Sequence, residues 1–523
     1  MRWSSIDAHA HARVTANLLG QHEAVLHETF SAPCPSILTR AVHILTDVTR
    51  DTIARIVARM IGIGVDFGTS NSVMAAYDGE SITLVALEPS GPILPTATYI
   101  DRSFRAATGE DAIRRYVDDN TGRPVELVPE VVGRAEILIG EHDESSRDAP
   151  EVATYDAFGT ANVDLNMKGR LFRGIKRLLG NEHTDRLMVF DRPYRMVALM
   201  TPLLLRMRQT AERALSNPVN RVHVGRPVNY EGTGARRNEL AVGRLREACR
   251  HAGLTRVVPL PEPTAATLSY LESSSVQPDL TLTFDFGGGT LDLCLLRRRL
   301  GGFEVIATHG IALGGDRIDQ RLFERLLFPL LGKGETWRRQ GVDRRIDTRF
   351  PFELYEPLLV NWAMTYLLNQ GRFRGPVLER IAEGGPASRK FERLNDLVSR
   401  NYGYAVFQAL RSLKANLSER EEATLDIPEI DVALTVSRTQ FEVLIADFLD
   451  EAAAAVDGLL AAARIDPANV DAVVRTGGSS LIPAVERLLE DRFPGRVYEH
   501  DPFTSVAAGL ALADYRLRES RSR

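Results

Sequence analysis

Cysteine is scarce in this chain of 523 residues: Cys34, Cys249 and Cys294 stand far apart, with no Cys-x-x-Cys spacing. A disulfide framework and a thiolate zinc site are therefore not expected, and a reducing, cytoplasmic setting is the simplest one. No run of about 18 apolar residues occurs, so no bilayer-spanning helix is expected. An excess of positive charge is also missing. The formal net charge is -5 and the pI is near 6.2, which leaves no global field to attract nucleic acid or an anionic membrane. Arginine patches such as Arg297-Arg298-Arg299 read as solvated strand ends. A glycine-rich loop ending in Gly-Lys-Ser/Thr is absent, as is the His-Arg-Asp loop that accompanies Asp-Phe-Gly in protein kinases.

Hydrophobic residues at 44% and charged residues at 25% are ordinary for a globular protein. The length exceeds the roughly 250 to 300 residues that one hydrophobic core serves, so two or more lobes are expected. The most informative stretch is Thr281-Leu282-Thr283-Phe284-Asp285-Phe286-Gly287-Gly288-Gly289-Thr290-Leu291-Asp292-Leu293. It reads as strand, tight turn, strand. Glycines at such a tip allow positive φ and remove side chains, so backbone N–H groups can approach an anion; phosphate fits best. Asp285 beside a phosphate implies a divalent cation between them, Mg²⁺ with its waters, and the Thr290 hydroxyl offers one more donor.

A second copy strengthens the reading. Ile61-Gly62-Ile63-Gly64-Val65-Asp66-Phe67-Gly68-Thr69-Ser70-Asn71-Ser72-Val73 repeats the order, and each copy continues through a turn into a third β-rich run, Ile82 to Leu87 and Phe303 to His309. The plan is a duplicated β-meander whose two aspartate-bearing hairpins could grip a polyphosphate and its metal from both sides.

Elsewhere, residues 1–59 read as an extension, either an over-long start or a weakly ordered segment, with His9 and His11 incidental and Thr49 to Met60 a possible amphipathic helix. Asp101 to Gly159 reads as a polar edge elaboration with a loop at Glu141 to Ser146, and Leu171 to Gly180 as a short helix. Glu262 in Pro261-Glu262-Pro263-Thr264 sits at a strand-to-helix corner, a common place for a catalytic carboxylate. Gly314-Gly315-Asp316 is a loop before a helix, residues 332–465 read as mostly helical with Thr439 to Ala463 one amphipathic stretch, and Gly477-Gly478-Ser479 breaks a buried strand. A helix from Ser505 to Leu517 carries Ala507, Ala508 and Gly509, small residues that permit close packing.

In these motifs the chain resembles the nucleotide-binding domain of the seventy-kilodalton heat-shock protein family, the DnaK-type chaperones, over about residues 60–516. Gly225-Arg226-Pro227 is similar to the strand end of the YegD-like branch. The resemblance implies an α/β class and a duplicated actin-like ATPase, ribonuclease H-like fold, with two lobes around a nucleotide cleft. The first lobe would hold 60–278 and 498–516, with a peripheral part at about 101–189. The second would hold 279–497, with a mostly helical part at about 326–465, and 517–523 would be a tail. By position, Asp66, Asp285 and Asp292 would organise the Mg²⁺ shell. Gly68, Thr69, Ser70, Asn71, Gly287, Gly288 and Gly289 would cradle phosphate, and Thr290 would help hold its terminal group. Lys176 and Glu262 would position the attacking water, while Gly314, Gly315, Lys414, Ser418, Gly477, Gly478 and Ser479 would contact the nucleotide. The family's adenine-stacking arginine falls at Leu481 and its ribose-region glutamate at Arg411, departures that bear on base affinity and selectivity.

The implied protein binds ATP and ADP, hydrolyses ATP slowly and serves a protein client or co-chaperone as a monomer, without nucleic acid or membrane. A peptide-binding domain is not expected, because Tyr515-Arg516-Leu517-Arg518 stands where the family's apolar linker would begin. Two other readings suit the fold: a small-molecule kinase and a filament-forming, actin-like ATPase.

Overall fold

The computed structural model describes residues 60–139, 151–164, 166–230, 236–274, 277–300, 302–340 and 345–522. Ile61–Arg523 forms one compact unit. The expectations for residues 1–59, Cys34 included, and for the loop at 141–146 lie outside the described residues.

The chain enters through an antiparallel meander, β1 (Gly62–Phe67), β2 (Asn71–Tyr77) and β3 (Ile82–Leu84), with a short β4 (Leu94–Pro95) against the start of β2. Then come β5 (Ala97–Asp101), β6 (Ala106–Thr108), α1 (Glu110–Asn120), a long ribbon of β7 (Leu127–Ile139) and β8 (Glu151–Asp164), and β9 (Gly169–Arg173). The stretch 101–159 is thus built mainly of strands. The start of the helix expected over 171–180 is also strand: Leu171 and Phe172 pair with Tyr99 and Thr98, and Gly174 at φ 64 turns the chain into a single turn, α2 (Ile175–Leu178). Cross-strand pairing overrides the weak propensity of so short a segment. The small hairpin β10 (Arg186–Val189) and β11 (Arg192–Arg195) leads to α3 (Met196–Leu215), β12 (Arg221–Arg226), α4 (Arg237–His251), β13 (Arg256–Pro261) and α5 (Glu262–Ser273).

The second half repeats the plan. β14 (Leu280–Phe286), β15 (Leu291–Arg299) and β16 (Gly302–Ile311) form the meander, followed by α6 (Gly315–Leu322). Two strand pairs interrupt the region expected to be mostly helical. The first is β17 (Thr336–Gln340) with β18 (Arg345–Arg349); the second, β19 (Glu422–Ile427) with β20 (Val432–Ser437), follows α7 (Glu356–Leu359), α8 (Gly371–Ala382), α9 (Ser388–Ser399) and α10 (Gly403–Glu419). The stretch read as one helix over 439–463 is two, α11 (Arg438–Leu444) and α12 (Ala446–Ala463), parted at Ile445, with Ser437 and Gln440 forming a capping box on α11. The chain then runs through β21 (Ala472–Thr476), α13 (Pro483–Glu490), β22 (Val497–Glu499) and α14 (Ser505–Ser522).

The two main sheets have one topology. The first runs β13-β12-β1-β2-β3 and the second β22-β21-β14-β15-β16, each with an antiparallel meander and two added parallel strands. Their central strands are buried nearly end to end, as expected where helices cover both faces. Each sheet anchors its own hydrophobic cluster, one including Val65, Met74 and Val224, the other Leu282, Leu293 and Val473.

Helix α14 lies across β1 at backbone contact. A Cβ on Gly64 would come 2.1 Å from the Ala507 carbonyl, and one on Gly62 would come 2.2 Å from that of Ala511. Gly509 crosses α5 as closely, with a Cβ there falling 1.7 Å from the Ala265 carbonyl. The run of small residues thus sets how near helix and sheet can come. Beneath it, Asp514 is fully buried; it accepts from the Ile63 N–H and the Arg221 side chain and meets His223.

Candidate functional site

Both aspartates sit one residue before the buried end of a central strand. Asp66 faces Val73 across the first hairpin and Asp285 faces Asp292 across the second, while Phe67 and Phe286 pin the strand ends in the core. The Gly287 N–H donates to the Thr290 carbonyl and closes the second turn at 3.0 Å. None of Gly68, Gly287, Gly288 and Gly289 has positive φ. Crowding explains Gly68, where a Cβ would sit 2.1 Å from the Asn71 carbonyl; a Cβ on Gly288 or Gly289 would only touch Ser70 or Thr69, at 3.4 and 3.6 Å. The two tips therefore meet side to side.

Three further segments close around these tips. The N–H groups of Gly315 and Asp316 donate to the carbonyls of Gly287 and Gly288 at 3.0 and 2.8 Å. A Cβ on Gly314 would fall 2.4 Å from the Gly288 carbonyl, and one on Gly477, which does hold φ 82, 2.7 Å from an Asp285 carboxylate oxygen. The Ser479 hydroxyl donates to Gly287 O at 3.1 Å, while Gly478 packs on the ring of Phe503. On α10, Lys414 Nζ donates to the Gly315 carbonyl at 3.1 Å and to Asp319 at 2.6 Å. One turn later the Ser418 hydroxyl donates to the Lys414 carbonyl along its own helix. Asn71, at the head of β2, is exposed.

Lys176 and Glu262 arrive from different elements, α2 and the first residue of α5, and pair at 2.6 Å with both side chains buried. Burial pulls the Lys176 ammonium toward deprotonation, but Glu262 and Asp66 together overcome this and hold it above its usual value. Asp66 is raised from 3.8 to about 7, chiefly by burial and then by Glu262, with Lys176 opposing. Asp285 is raised well above the usual range by burial, followed by the charges of Asp292, Glu262 and Asp66. Lys176, Glu262, Asp66 and Asp285 thus act on one another, and Asp292 acts on Asp285. The Thr290 hydroxyl donates to Asp292 at 2.7 Å.

The donor set fits a divalent cation. Asp66, Glu262 and Asp285 share one ammonium, Asp292 adds its charge beside Asp285, and such an excess of carboxylates is relieved by a bound cation. Among the described residues no three such side chains converge closely enough to ligate a metal directly; a grip through waters, as Mg²⁺ favours, suits this spacing.

Sequence reasoning missed Asp319 and the part played by Asp316. Arg411 bonds both, at 3.1 Å to Asp319 and 3.3 Å to Asp316, and Ser70 donates to Asp316 at 3.4 Å, which ties the first hairpin to α6. A signal was present: Asp316 and Asp319 stand three apart just after the Gly314-Gly315 pair, on one helix face.

A meander with its aspartate hairpin, occurring twice and meeting tip to tip over a lysine–glutamate pair, defines an actin-like ATPase fold. Comparison with known proteins narrows the class. The family model described as Hsp70 protein matches residues 62–349 and 404–514. Heat shock 70 kDa protein BIP3 of Oryza sativa subsp. japonica is 27% identical over 454 residues, 86% of this chain and 56% of that protein. Chaperone protein dnaK of Cyanidioschyzon merolae is 24% identical over 462 residues, 86% of this chain and 61% of that one. The chain belongs to the Hsp70 family, and it spans a little over half the length of these relatives.

Proposed function

We propose that the chain is an ATP-binding, slowly hydrolysing heat-shock-type ATPase whose nucleotide state sets the relation of two lobes and so controls a partner protein. The meeting of the two aspartate hairpins over the Lys176–Glu262 pair carries this reading. The lobes would be 60–278 with 498–516, and 279–497. Gly225-Arg226-Pro227, which ends β12, favours the YegD-like branch, and two buried free thiols, Cys249 and Cys294, suit a reducing cytosol. Among the described residues no helix is long and apolar enough to cross a membrane.

Phosphoryl transfer needs positioning and charge neutralisation more than covalent chemistry. Backbone groups at 68–71 and 287–289 would bind the phosphates. Asp66, Asp285 and Asp292 would hold Mg²⁺, which when bound would supply charge neutralisation for the phosphates. Lys176, held protonated and fixed by Glu262, would orient the water that attacks the terminal phosphorus as the bond to the leaving ADP oxygen breaks. The Thr290 hydroxyl can turn from Asp292 to a terminal phosphate oxygen, and Lys414 and Ser479 would reach the nucleoside side. Calorimetric titration with ADP, with and without Mg²⁺, followed by single-turnover hydrolysis of ATP, tests the reading. Mg²⁺-dependent binding and slow release of phosphate are expected; no binding at millimolar Mg²⁺ and ADP would sink it.

A further inference from the structure

A cavity of about 560 Å³ opens beside the hairpin tips, with Thr69 and Ser70 on its wall. That volume is typical of a site for a small organic molecule. At its rim α1 touches the segment after α7: Tyr116 packs edge-on against Trp362 and donates to the Ala363 carbonyl at 2.9 Å. Thr69 and Ser70 belong to the phosphate hairpin, and Arg177, Asp316 and Arg411 lie on elements that also carry Lys176, Gly315 and Lys414, but most of the lining is remote from the segments assigned to nucleotide above. It comes from α1, β9, α6 and residues 360–367, with Phe407 and Arg411 from α10.

The charge on these walls is unbalanced. Asp316 and Asp319 line the cavity, but Arg411 bonds both and Lys414 bonds Asp319 as well. Arg170, Arg173 and Arg177 line the cavity too. Arg170 donates to the Met188 carbonyl, which carries no formal charge. Arg173 is half-buried, and among the described residues no carboxylate pairs with it. Its guanidinium lies 4.6 Å from the centre of the Trp362 ring, an arrangement that leaves the edge donors available. Burial and then the nearby Arg411 weigh against its charge, with Asp316 and Tyr404 opposing. A recess whose arginines outnumber its carboxylates, with one guanidinium that no described carboxylate bonds, suits an anion, and the rings of Trp362, Tyr366 and Phe407 on the same walls offer apolar and aromatic contact.

We propose that this cavity binds a small molecule with an aromatic or apolar body and one anionic group, phosphate or carboxylate, which Arg173 holds. The site is distinct from the nucleotide crevice and lies against the first hairpin through Thr69 and Ser70. It stands whether or not the neighbouring crevice takes ATP.

Titration calorimetry of the full chain with phenyl phosphate and with benzoate tests it, each in the absence and presence of saturating Mg²⁺ and ADP. One saturable site is expected, retained with ADP bound. Arg173→Ala is expected to weaken binding roughly tenfold to hundredfold, the usual effect of losing a charge-assisted hydrogen bond, and Arg173→Lys to weaken it less. Arg173→Gln, which keeps the bulk against Trp362, carries the same expectation as Arg173→Ala if the latter does not fold. Absence of saturable binding by both probes, equal affinity in the arginine variants, or complete displacement by ADP overturns the proposal. A chain that binds phenyl phosphate but not ADP supports this site and removes the nucleotide reading, so the two fail separately.

Discussion

Replacing Lys176 by methionine separates what the buried pair does for stability from what it does for hydrolysis. In the parent, Nζ sits 2.6 Å from Glu262 with both side chains buried, and the charge of Asp66 also acts on it. Methionine fills similar volume but leaves Glu262 without its partner in a crevice where Asp66 and Asp285 are already driven toward protonation. Breaking a buried pair on one side typically costs about 3 to 5 kcal/mol. Lys176→Met alone is therefore expected to shift the urea midpoint clearly downward. Lys176→Met with Glu262→Gln removes both charges and is expected to recover most of that loss. Hydrolysis follows another rule. Loss of one preorganised contact lowers kcat by about 10² to 10³, and the second substitution restores no ammonium, so single-turnover rates stay low in the double variant. Denaturation profiles and phosphate release on the same preparations give both answers. Parent-like hydrolysis in Lys176→Met would refute the assignment of Lys176, and a double variant as unstable as the single would refute the electrostatic account.

Asp66 and Asp514 are expected to move stability with pH in opposite senses. For Asp66, raised from 3.8 to about 7 in the fold, the neutral form is favoured, so its contribution is full below pH 3.8 and is lost as pH rises through about 7. In metal-free buffer Asp66→Asn is thus expected to melt higher than the parent at pH 8 and to match it near pH 3.5, by differential scanning calorimetry. Asp514 is held below the usual carboxylate range: burial opposes this, but His223, Arg221 and Arg518 outweigh it. Its contribution is present above the ordinary carboxylate pKa and lost on acidification, so Asp514→Asn is expected to cost stability at pH 7 and little at pH 3. Gly509→Ala puts a methyl 1.7 Å from the Ala265 carbonyl and forces α14 off α5, at a cost of about 1 to 3 kcal/mol or more, read from the unfolding midpoint.

The hairpins were legible in the sequence because their chemistry is local: a β-branched run, an aspartate and glycines within a few residues specify strand and turn without help from the rest of the chain. The small residues of α14 were legible for the same reason, since close packing leaves its mark at each contact position. Strand β9 was hidden, because Leu171 and Phe172 become strand only by pairing with Thr98 and Tyr99, about 70 residues away in sequence. The pairs β17–β18 and β19–β20 were likewise lost in a region whose apolar spacing suited helix. The turn glycines misled in another way. Their permissive backbone suggested positive φ, yet none of them has it, and only at Gly68 does a close carbonyl, that of Asn71, leave no room for a side chain. Arg173 was silent because its meaning depends on Trp362, which no spacing along the chain brings near it.

Helix α14 has a bearing on synthesis. The strand it covers, β1, leaves the ribosome more than 400 residues earlier; the Ile63 N–H that bonds Asp514 waits 451 residues for its acceptor. Until then a nascent chain carries the groove of Gly62 and Gly64 uncovered, and the first sheet lacks one of its two coats. Translation must pass α14 before that sheet can be sealed, so a stalled polypeptide ending before Ser505 presents a sticky, half-clad surface to whatever chaperones surround it.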